Sequence, residues 1–488
     1  MIKRFGYFLF ALLLLLIIAV TINTLRQGSK QLTVTPVAAF QLDEVAAAGR
    51  LAKSLRFQTI SSLDPANQAL GEFNQLHAHL AQAFPLIHSK LKRETIGAAS
   101  LLYTWEGSDA KAKPIMLMAH QDVVPIAPDT EKNWQQAPFD GVIKDGYVWG
   151  RGAWDDKGNL FAMMEAVETL LQNGFVPRQT IYLAFGHDEE VGGLQGAMQI
   201  AKVLKTRGVK FDYILDEGLL ITEGILKGLA PSAALIGIAE KGYVTVQLGL
   251  DATPGHSSMP TQKTAIGMMS VALARLEEQQ FPGEIRGVAQ EMFETIAPEM
   301  QGLNRVLLSN LWLFKPLVQH ELSKASATNA TLRTTTALTT IHAGNKDNVL
   351  PGHIDATVNF RTLPGDTQAS VLQHVKKALA NENIQLTVSK GNSESSQISS
   401  INSAAYYTLN KTIREVFANT IVAPGLMLGG TDSRHFEGLS ENVFKFSPVR
   451  ATADDLPRFH GTNERISIKN YAEMIRFYHQ LLVNSSRQ

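Results

Sequence analysis

Short apolar runs alternate with amphipathic runs along most of this chain. Residues 114–119 are apolar throughout, as in a strand that is buried on both faces. Residues 159–172 place apolar side chains at helical spacing, and a glycine follows at position 174. Strands that alternate with helices bury their apolar faces only in layers. The pattern therefore predicts an α/β fold with a mixed sheet flanked by helices.

The pattern changes past residue 241, where strand-like runs alternate between apolar and polar residues. The predicted order there is β-α-β-β-α-β, which is the ferredoxin-like unit. We expect this unit, residues 241–393, to interrupt a larger domain that comprises residues 42–240 and 394–488. Within it, an apolar insertion at about residues 281–329 is expected to be either a lid helix or core filler.

The N-terminus carries a long stretch without charge, residues 5–25. About 20 apolar residues span a bilayer as a helix. We predict an uncleaved signal-anchor over residues 1–26 and a polar tether over residues 27–41. A cleaved signal peptide and a buried core helix are the alternatives. The anchor would hold the rest of the chain outside the cytoplasm, in a periplasm, a secretory lumen or the extracellular space; cleavage would release it as a secreted protein.

The composition excludes several kinds of protein. The chain has 488 residues, and Lys+Arg and Asp+Glu both total 45, so the basic field of a nucleic-acid-binding protein is missing. There is no cysteine, which excludes a disulfide scaffold, a thiol nucleophile and a cysteine-based zinc site. Any metal must therefore be held by histidine and carboxylate side chains.

Histidine and carboxylate residues follow the apolar strands at four places in the sequence. These segments are His120-Gln121-Asp122, Asp155-Asp156-Lys157, His187-Asp188-Glu189-Glu190 and Asp216-Glu217-Gly218. Each has an ordinary structural explanation, such as a helix N-terminus or a turn, but none explains why all four follow strands. Ligands bind beyond the carboxyl ends of strands in open α/β sheets. The set predicts two divalent ions that share a carboxylate, with another carboxylate left as general base.

These motifs, in this order, resemble the dinuclear-zinc aminoacylase and carboxypeptidase metallopeptidase family. The resemblance covers nearly all of the chain past the tether. Further segments are similar to the branch that holds carboxypeptidase S and the N-fatty-acyl-amino-acid synthase/hydrolase, namely Glu240-Lys241-Gly242, Gly255-His256-Ser257-Ser258, Trp312-Leu313-Phe314, Arg333 to Leu338 and Val358-Asn359-Phe360-Arg361. The fold that this implies is a zinc-peptidase-like mixed sheet with an inserted lid or dimerisation domain.

The resemblance implies two Zn²⁺ per subunit, although other divalent ions would suit the same ligands. His120, Asp155 and Asp216 would hold one ion. The other would be held by Asp155, Glu190 and a distal histidine, for which His460 is preferred and His435 is the alternative.

The same resemblance assigns roles around the metal ions. Asp122 would orient the imidazole of His120, and Glu189 would act as general base and then acid. His256 would donate to the oxyanion of the tetrahedral intermediate. The predicted substrate-binding residues are Asn348, Arg361 and Gly430.

The predicted activity is hydrolysis of the amide bond of N-acyl amino acids that carry a free carboxylate. The apolar insertion and the N-terminal helix favour a fatty acyl group. Cleavage of short peptides by a carboxypeptidase or dipeptidase is the alternative, and a non-catalytic metal-binding ectodomain is the alternative of another class. The expected partners are the small-molecule substrate, the membrane through the N-terminal helix, and a second copy through the lid domain; no nucleic acid is expected.

Overall fold

The structure is a computed structural model that describes residues 2–487. The first part of the chain contains α1 (Ile2–Arg26), α2 (Glu44–Ser54), α3 (Leu70–Ala83), α4 (Pro85–Lys90), β1 (Lys92–Ile96), β2 (Ser100–Trp105), β3 (Ile115–His120), β4 (Val142–Lys144), β5 (Tyr147–Trp149), α5 (Lys157–Gln172), β6 (Ile181–Gly186), α6 (Ala197–Thr206), β7 (Ile214–Thr222) and β8 (Ala233–Glu240).

The middle part contains β9 (Gly242–Asp251), β10 (Gly255–His256), α7 (Ala265–Glu278), α8 (Gly287–Ile296), α9 (Gly302–Ser309), α10 (Leu311–Leu322), α11 (Ser326–Leu332), β11 (Thr335–His342), β12 (Val349–Leu350), β13 (His353–Thr362), α12 (Gln368–Leu379) and β14 (Gln385–Val388). The last part contains α13 (Ala404–Val416), β15 (Ile421–Met427), β16 (Val443–Ala451), β17 (Arg465–Ser467) and α14 (Ile468–Ser485).

The central sheet is mixed and has the strand order β1-β2-β6-β3-β7-β16-β8-β15. β6, β3, β7 and β16 are parallel, and β8 and β15 run parallel to each other in the opposite direction. Successive side chains of β3 face opposite sides of the sheet. Leu117 packs with α5 and α14 on one side, and Met116 and Met118 pack with α6 on the other. This architecture confirms the predicted mixed sheet flanked by helices.

A smaller antiparallel sheet has the order β11-β13-β9-β14. Its chain order, β9-α7-β11-β13-α12-β14, is the β-α-β-β-α-β succession that the sequence predicts. Alternate residues of β9 are buried because α7 and α12 cover one face of the sheet. β11 lies at an edge of this sheet, and most of its residues are exposed. The strand follows α11, which covers residues 326–332.

The predicted insertion folds into the four helices α8 to α11. Their apolar residues form one cluster with residues at the starts of β8 and β15, so the insertion packs on the edge of the central sheet. The last turns of α1 contact α9. The rest of α1 is largely exposed, and it is long and apolar enough to cross a membrane.

Candidate metal centre

The predicted metal-binding side chains lie at one edge of the central sheet. β3 ends at His120, and β6 ends just before the turn that carries Glu189 and Glu190. Because β6, β3 and β7 are parallel, their carboxyl ends reach the same edge. Asp155 lies just before the first turn of α5, which packs against β3. The fold therefore brings residues from separate segments to one place.

The Asp155 carboxylate lies between two imidazoles. Its Oδ1 is 2.9 Å from His120 Nε2, and its Oδ2 is 2.7 Å from His460 Nε2. Glu190 Oε2 lies 3.4 Å from the same nitrogen of His460. Asp155 thus offers one oxygen to each of two neighbouring groups of ligands, as a carboxylate shared by two cations must.

The surroundings of these side chains are strongly acidic. Hydrogen bonding to Asp155 and Glu190 raises the pKa of His460 to about 10. Burial raises the pKa of Glu190, and the neighbouring Asp155 raises it further. Buried carboxylates that crowd together favour any positive charge among them. The site therefore attracts cations.

Glu217, and not Asp216, faces His120. Glu217 Oε1 is 3.4 Å from His120 Nε2, whereas the Asp216 carboxylate accepts hydrogen bonds from the backbone N–H groups of Ser433 (2.7 Å) and Glu217 (3.0 Å). Adjacent residues of a strand point to opposite faces, and the pairing of β7 with β16 is irregular just after Asp216. In this geometry the Glu217 carboxylate, and not that of Asp216, lies beside His120, and the expectation that Asp216 binds the metal stays a prediction.

Asp122 is buried behind the cluster and ties its parts together. Its carboxylate accepts hydrogen bonds from the Ser61 hydroxyl (2.7 Å) and from the N–H groups of Glu189 (3.2 Å) and Glu190 (3.1 Å). His120 Nδ1 lies 3.0 Å from the backbone oxygen of Asp122 and 3.3 Å from Oδ1. Burial opposes the charged form of Asp122, but these contacts outweigh it and hold the pKa below its usual range. Asp122 thus orients the imidazole and the turn that carries both glutamates.

Glu189 is half-buried beside the cluster. Burial raises the pKa of its carboxyl group well above the usual value, although the nearby His120 lowers it. The negative charges of Asp432 and Glu190 raise it further. A glutamate in such surroundings is suited to accept and return a proton.

The donor set fits a pair of divalent ions. Two imidazoles and three carboxylates, from His120, His460, Asp155, Glu190 and Glu217, provide ligands that suit zinc without any thiolate. Glu190 Oε1 is buried and has no hydrogen-bond partner among the described residues, so it is free to bind a cation. His120 forms candidate ligand groups both with Asp155 and Glu190 and with Asp156 and Glu217.

His435 does not join the cluster. Its Nε2 lies 2.9 Å from the backbone oxygen of Gly192, and burial lowers its pKa to about 4. His460 has a positive φ of 56° and lies on a loop that Arg151 and Glu464 fix. The structure therefore places His460, and not His435, beside Asp155.

Glu464 is a structural residue that the sequence analysis missed. Its Oε1 accepts hydrogen bonds from the N–H groups of Gly152 (2.9 Å), Trp154 (2.9 Å) and Asp155 (3.1 Å), and its Oε2 accepts one from Arg151 (2.6 Å). It joins the loop that carries Asp155 to the loop that carries the distal histidine. The one signal in the sequence is that Glu464 follows His460 by four residues in the same polar segment.

His256 lies on β10, and Asn348 lies just before β12, the strand that pairs with β10. Both residues are exposed, and the Asn348 carbonyl oxygen accepts a hydrogen bond from Ser257 N–H. His256 Nδ1 lies 2.8 Å from Ser258 Oγ. Within residues 2–487, no hydrogen bond or ion pair connects His256 or Asn348 to the metal-binding side chains. Among these described residues, His256 is hydrogen-bonded to its neighbour Ser258 and not to a candidate metal ligand.

Arg361 and Gly430 lie where the two sheets meet. The Arg361 guanidinium stacks on the Tyr243 ring at 4.6 Å. Gly430 packs against the Arg434 guanidinium, where a Cβ atom would come within 2.6 Å of Nη1. The next residue, Thr431, donates its N–H and its hydroxyl to the buried carboxylate of Glu240. The two predicted substrate-binding residues thus lie at the junction of the sheets, where two arginines offer positive charge.

Comparisons with known proteins agree with this geometry. The chain is 39% identical over 486 residues to the probable carboxypeptidase S-like 2 of Dictyostelium discoideum, covering 98% of this chain and 93% of the relative. It is also 39% identical to the N-fatty-acyl-amino acid synthase/hydrolase PM20D1 of Xenopus tropicalis, covering 88% of this chain and 84% of the relative.

A solved structure shows the same fold. The M20 family metallo-carboxypeptidase Sso-CP2 of Sulfolobus solfataricus matches 92% of this chain and all of its own, with a TM-score of 0.68 and 20% identity. The family model described as Peptidase family M20/M25/M40 matches residues 116–484, a range that holds every candidate metal ligand. The chain is therefore a member of peptidase family M20/M25/M40.

Proposed function

We propose that the chain is a two-zinc amidohydrolase that cleaves the amide bond of N-acyl amino acids with a free carboxylate. The observation that carries this proposal is the position of Asp155, whose two oxygens each face a different histidine, at 2.9 and 2.7 Å. Sharing one carboxylate between two divalent ions is a feature of metal-assisted hydrolysis. The relatives whose names describe carboxypeptidases and N-fatty-acyl-amino-acid hydrolases support the same class of reaction.

The ligands divide into two groups. His120, Asp155 and Glu217 would hold one zinc ion, and Asp155, Glu190 and His460 would hold the other. When bound, the two ions would polarise the substrate carbonyl and make a water molecule between them more acidic. The negative charge of the crowded carboxylates would then be offset by the four positive charges of two zinc ions.

Glu189 would transfer the proton. It would accept a proton from the attacking water as the C–O bond forms, and would deliver that proton to the amine nitrogen as the C–N bond breaks. Its place beside the candidate ligand Glu190, on the turn that Asp122 holds, supports this role. The products would be a carboxylic acid and a free amino acid.

His256 would stabilise the oxyanion in the site of a second copy of the chain. Its exposed position, away from the cluster of its own chain, supports this arrangement. The exposed edge strand β11 offers unpaired backbone groups on which the small sheets of two copies could join. Residues 241–393 would therefore act as the dimerisation domain. Within them, Asn348 and Arg361 would bind the substrate carboxylate, next to Gly430.

The N-terminal helix would keep the enzyme at a membrane. α1 has a mean hydropathy of 2.8 over its most apolar window, and its described residues are exposed apart from its last turns. We propose a retained signal-anchor with the catalytic part outside the cytoplasm. A fatty acyl substrate would then be available in the same membrane.

The substrate is tested by comparing hydrolysis of N-oleoyl-phenylalanine with that of the dipeptide Gly-Phe by the full chain. We expect the acyl substrate to be cleaved faster. Faster dipeptide turnover would favour the peptidase alternative, which the carboxypeptidase relatives support.

The proposed role of Glu189 has its own test. Glu189→Gln should lower kcat by about 10²–10⁴-fold, because the amide cannot accept the proton, while the zinc content stays unchanged. Metal analysis and assays of the same preparation measure both. A variant that turns over substrate as fast as the wild type would contradict the role of Glu189. A wild-type chain that binds zinc but cleaves neither substrate would support the non-catalytic alternative.

A further inference from the structure

The end of α1 is fixed to the corner between α9 and α10. Asn23 Nδ2 donates hydrogen bonds to the Ser309 carbonyl oxygen (2.7 Å) and to Asn310 Oδ1 (3.0 Å). Asn310 Nδ2 donates to Thr24 Oγ1 at 2.8 Å, and Thr24 is the buried residue of α1. α1 is therefore joined to the insertion by specific contacts, in addition to the covalent tether.

Asn310 makes this contact specific. Its side chain is fully buried, and its Oδ1 also accepts a hydrogen bond from Trp312 Nε1 at 3.1 Å. Its Nδ2 donates to the Val306 carbonyl oxygen as well, at 2.8 Å. Leaving a buried amide without partners is costly, so this set of partners holds α1 in one position.

The length of α1 sets where this contact would lie relative to a membrane. A helix rises about 1.5 Å per residue, which places Asn23 about 30 Å from Lys3. This distance equals the thickness of the hydrocarbon core of a bilayer, about 30 Å. If α1 spans a bilayer, Asn23 and Thr24 lie at its far surface, and Ser309 and Asn310 must lie there too.

Three large apolar side chains of α9 and α10, the helices that meet at this corner, are exposed. Leu303 is 69% exposed, Trp312 62% and Leu317 47%. Tryptophan is enriched at membrane interfaces because the ring is apolar and its N–H is polar. The indole N–H of Trp312 bonds to Asn310, the residue that also binds α1.

We propose that this corner, formed by Leu303, Trp312 and Leu317, is a second membrane-binding surface that enters the interfacial layer of the bilayer spanned by α1. The corner contacts the end of α1, so the partner of this surface is the phospholipid surface of the bilayer that α1 spans. Because the insertion also packs on the edge of the central sheet, this contact would fix the orientation of the catalytic part at the membrane. The inference rests on the retained anchor of the proposed function.

The lack of cysteine makes a direct test simple. Leu303→Cys and Trp312→Cys variants of the full chain are labelled with a nitroxide and reconstituted into phosphatidylcholine vesicles. Collision of the label with oxygen and with a water-soluble nickel chelate measures depth in the bilayer. Leu14→Cys, within α1, reports whether the helix spans the membrane.

Val176→Cys is the matched control. Val176 is 65% exposed, which is close to the exposure of Leu303 and Trp312. It precedes β6, and β6 lies five strand spacings, about 24 Å, from β15.

A second experiment oxidises the pair Asn23→Cys and Asn310→Cys in the same vesicles, because these side chains touch in the structure.

The proposal predicts a deep label at position 14, interfacial labels at positions 303 and 312, and an aqueous label at position 176. It also predicts that the cysteine pair forms a disulfide. Labels at positions 303 and 312 that are as aqueous as that at position 176, with a deep label at position 14, would overturn the corner contact and leave the anchor intact. An aqueous label at position 14 would overturn both the anchor and the corner contact, and failure of the pair to cross-link would overturn the fixed position of α1.

Discussion

The two sheets present their functional side chains in opposite ways. On the central sheet, His120, Asp155 and Asp122 are buried and held by hydrogen bonds from several backbone segments. By contrast, His256 on β10 and Asn348 just before β12 are exposed, and within residues 2–487 their hydrogen bonds, apart from the pairing of β10 with β12, are to Ser257, Ser258 and Met259. The metal-binding half of the candidate site therefore has its side chains in contact within one chain, whereas no hydrogen bond within residues 2–487 connects His256 or Asn348, of the predicted substrate-binding half, to them.

This difference follows from what each half must do. Metal ligands must hold a fixed geometry, and the cost of burying their charges is recovered when cations bind. Residues that contact the substrate must let it enter and leave. Exposure of His256 is thus compatible with function, whereas exposure of Asp155 would weaken its hold on two cations.

The largest effect is expected from Glu217→Gln, compared with the matched variant Asp216→Asn. Glu217→Gln should remove one of the two zinc ions and lower activity by more than about 100-fold. This loss exceeds the usual effect of removing a side chain that only supports a metal ligand, about 10- to 100-fold. Asp216→Asn should keep both ions and lose about 10-fold, because it only supports the loop at Ser433. Zinc analysis of both purified proteins decides, and loss of an ion in Asp216→Asn alone would restore the original assignment.

The second-largest effect is expected when two inactive variants are mixed, because part of the activity should return. One carries His256→Ala and the other Glu189→Gln, and the subunits are dissociated and reassociated. If His256 serves the partner's site, half of the dimers are mixed and each has one complete site, so about a quarter of the wild-type activity returns. No recovery, with mixed dimers shown by mass, would place His256 in the site of its own chain.

The smallest effect concerns the junction between the sheets. Lys241 Nζ donates to the carbonyl oxygens of Ala330 (2.9 Å) and Arg333 (2.8 Å), and burial, assisted by the charge of Arg361, lowers its pKa to about 7. The unfolded chain then binds more protons between pH 7 and about 10.5, so this residue destabilises the fold below pH 7 and the penalty disappears as the pH rises.

Replacement with methionine tests this interpretation. Lys241→Met should have a higher Tm than the wild type by a few degrees at pH 6, and the difference should shrink or reverse by pH 10. Scanning calorimetry at both pH values measures it. A Tm difference that does not vary with pH would show that the Lys241 ammonium is not desolvated.

The sequence predicts for a physical reason that the side chains at the strand ends lie close together. Parallel strands end at one edge of a sheet, so the positions of His120 and Glu190 follow from the apolar runs that precede them. Asp155 is found in the same way, because it precedes a strongly patterned helix. His460 could not be derived from a strand end, and only the resemblance to a family indicated it.

The remaining features depend on contacts that no local pattern shows. Asp216 and Glu217 are both plausible ligands in the sequence, and an irregular pairing between β7 and the distant strand β16 decides between them. The distance of His256 from the cluster depends on how the small sheet sits against the central one. The contact between Asn310 and α1 joins residues that are 286 or more positions apart in the chain.

The most direct test of this account is X-ray absorption spectroscopy of the zinc-loaded full chain, with zinc content measured on the same sample. A carboxylate shared by two ions predicts two zinc ions per chain, nitrogen and oxygen ligands without sulfur, and a zinc–zinc distance of about 3.5–4 Å. Asp155→Ala should abolish the zinc–zinc signal. A single zinc ion per chain, or two ions with no zinc–zinc signal in the wild type, would contradict the shared role of Asp155.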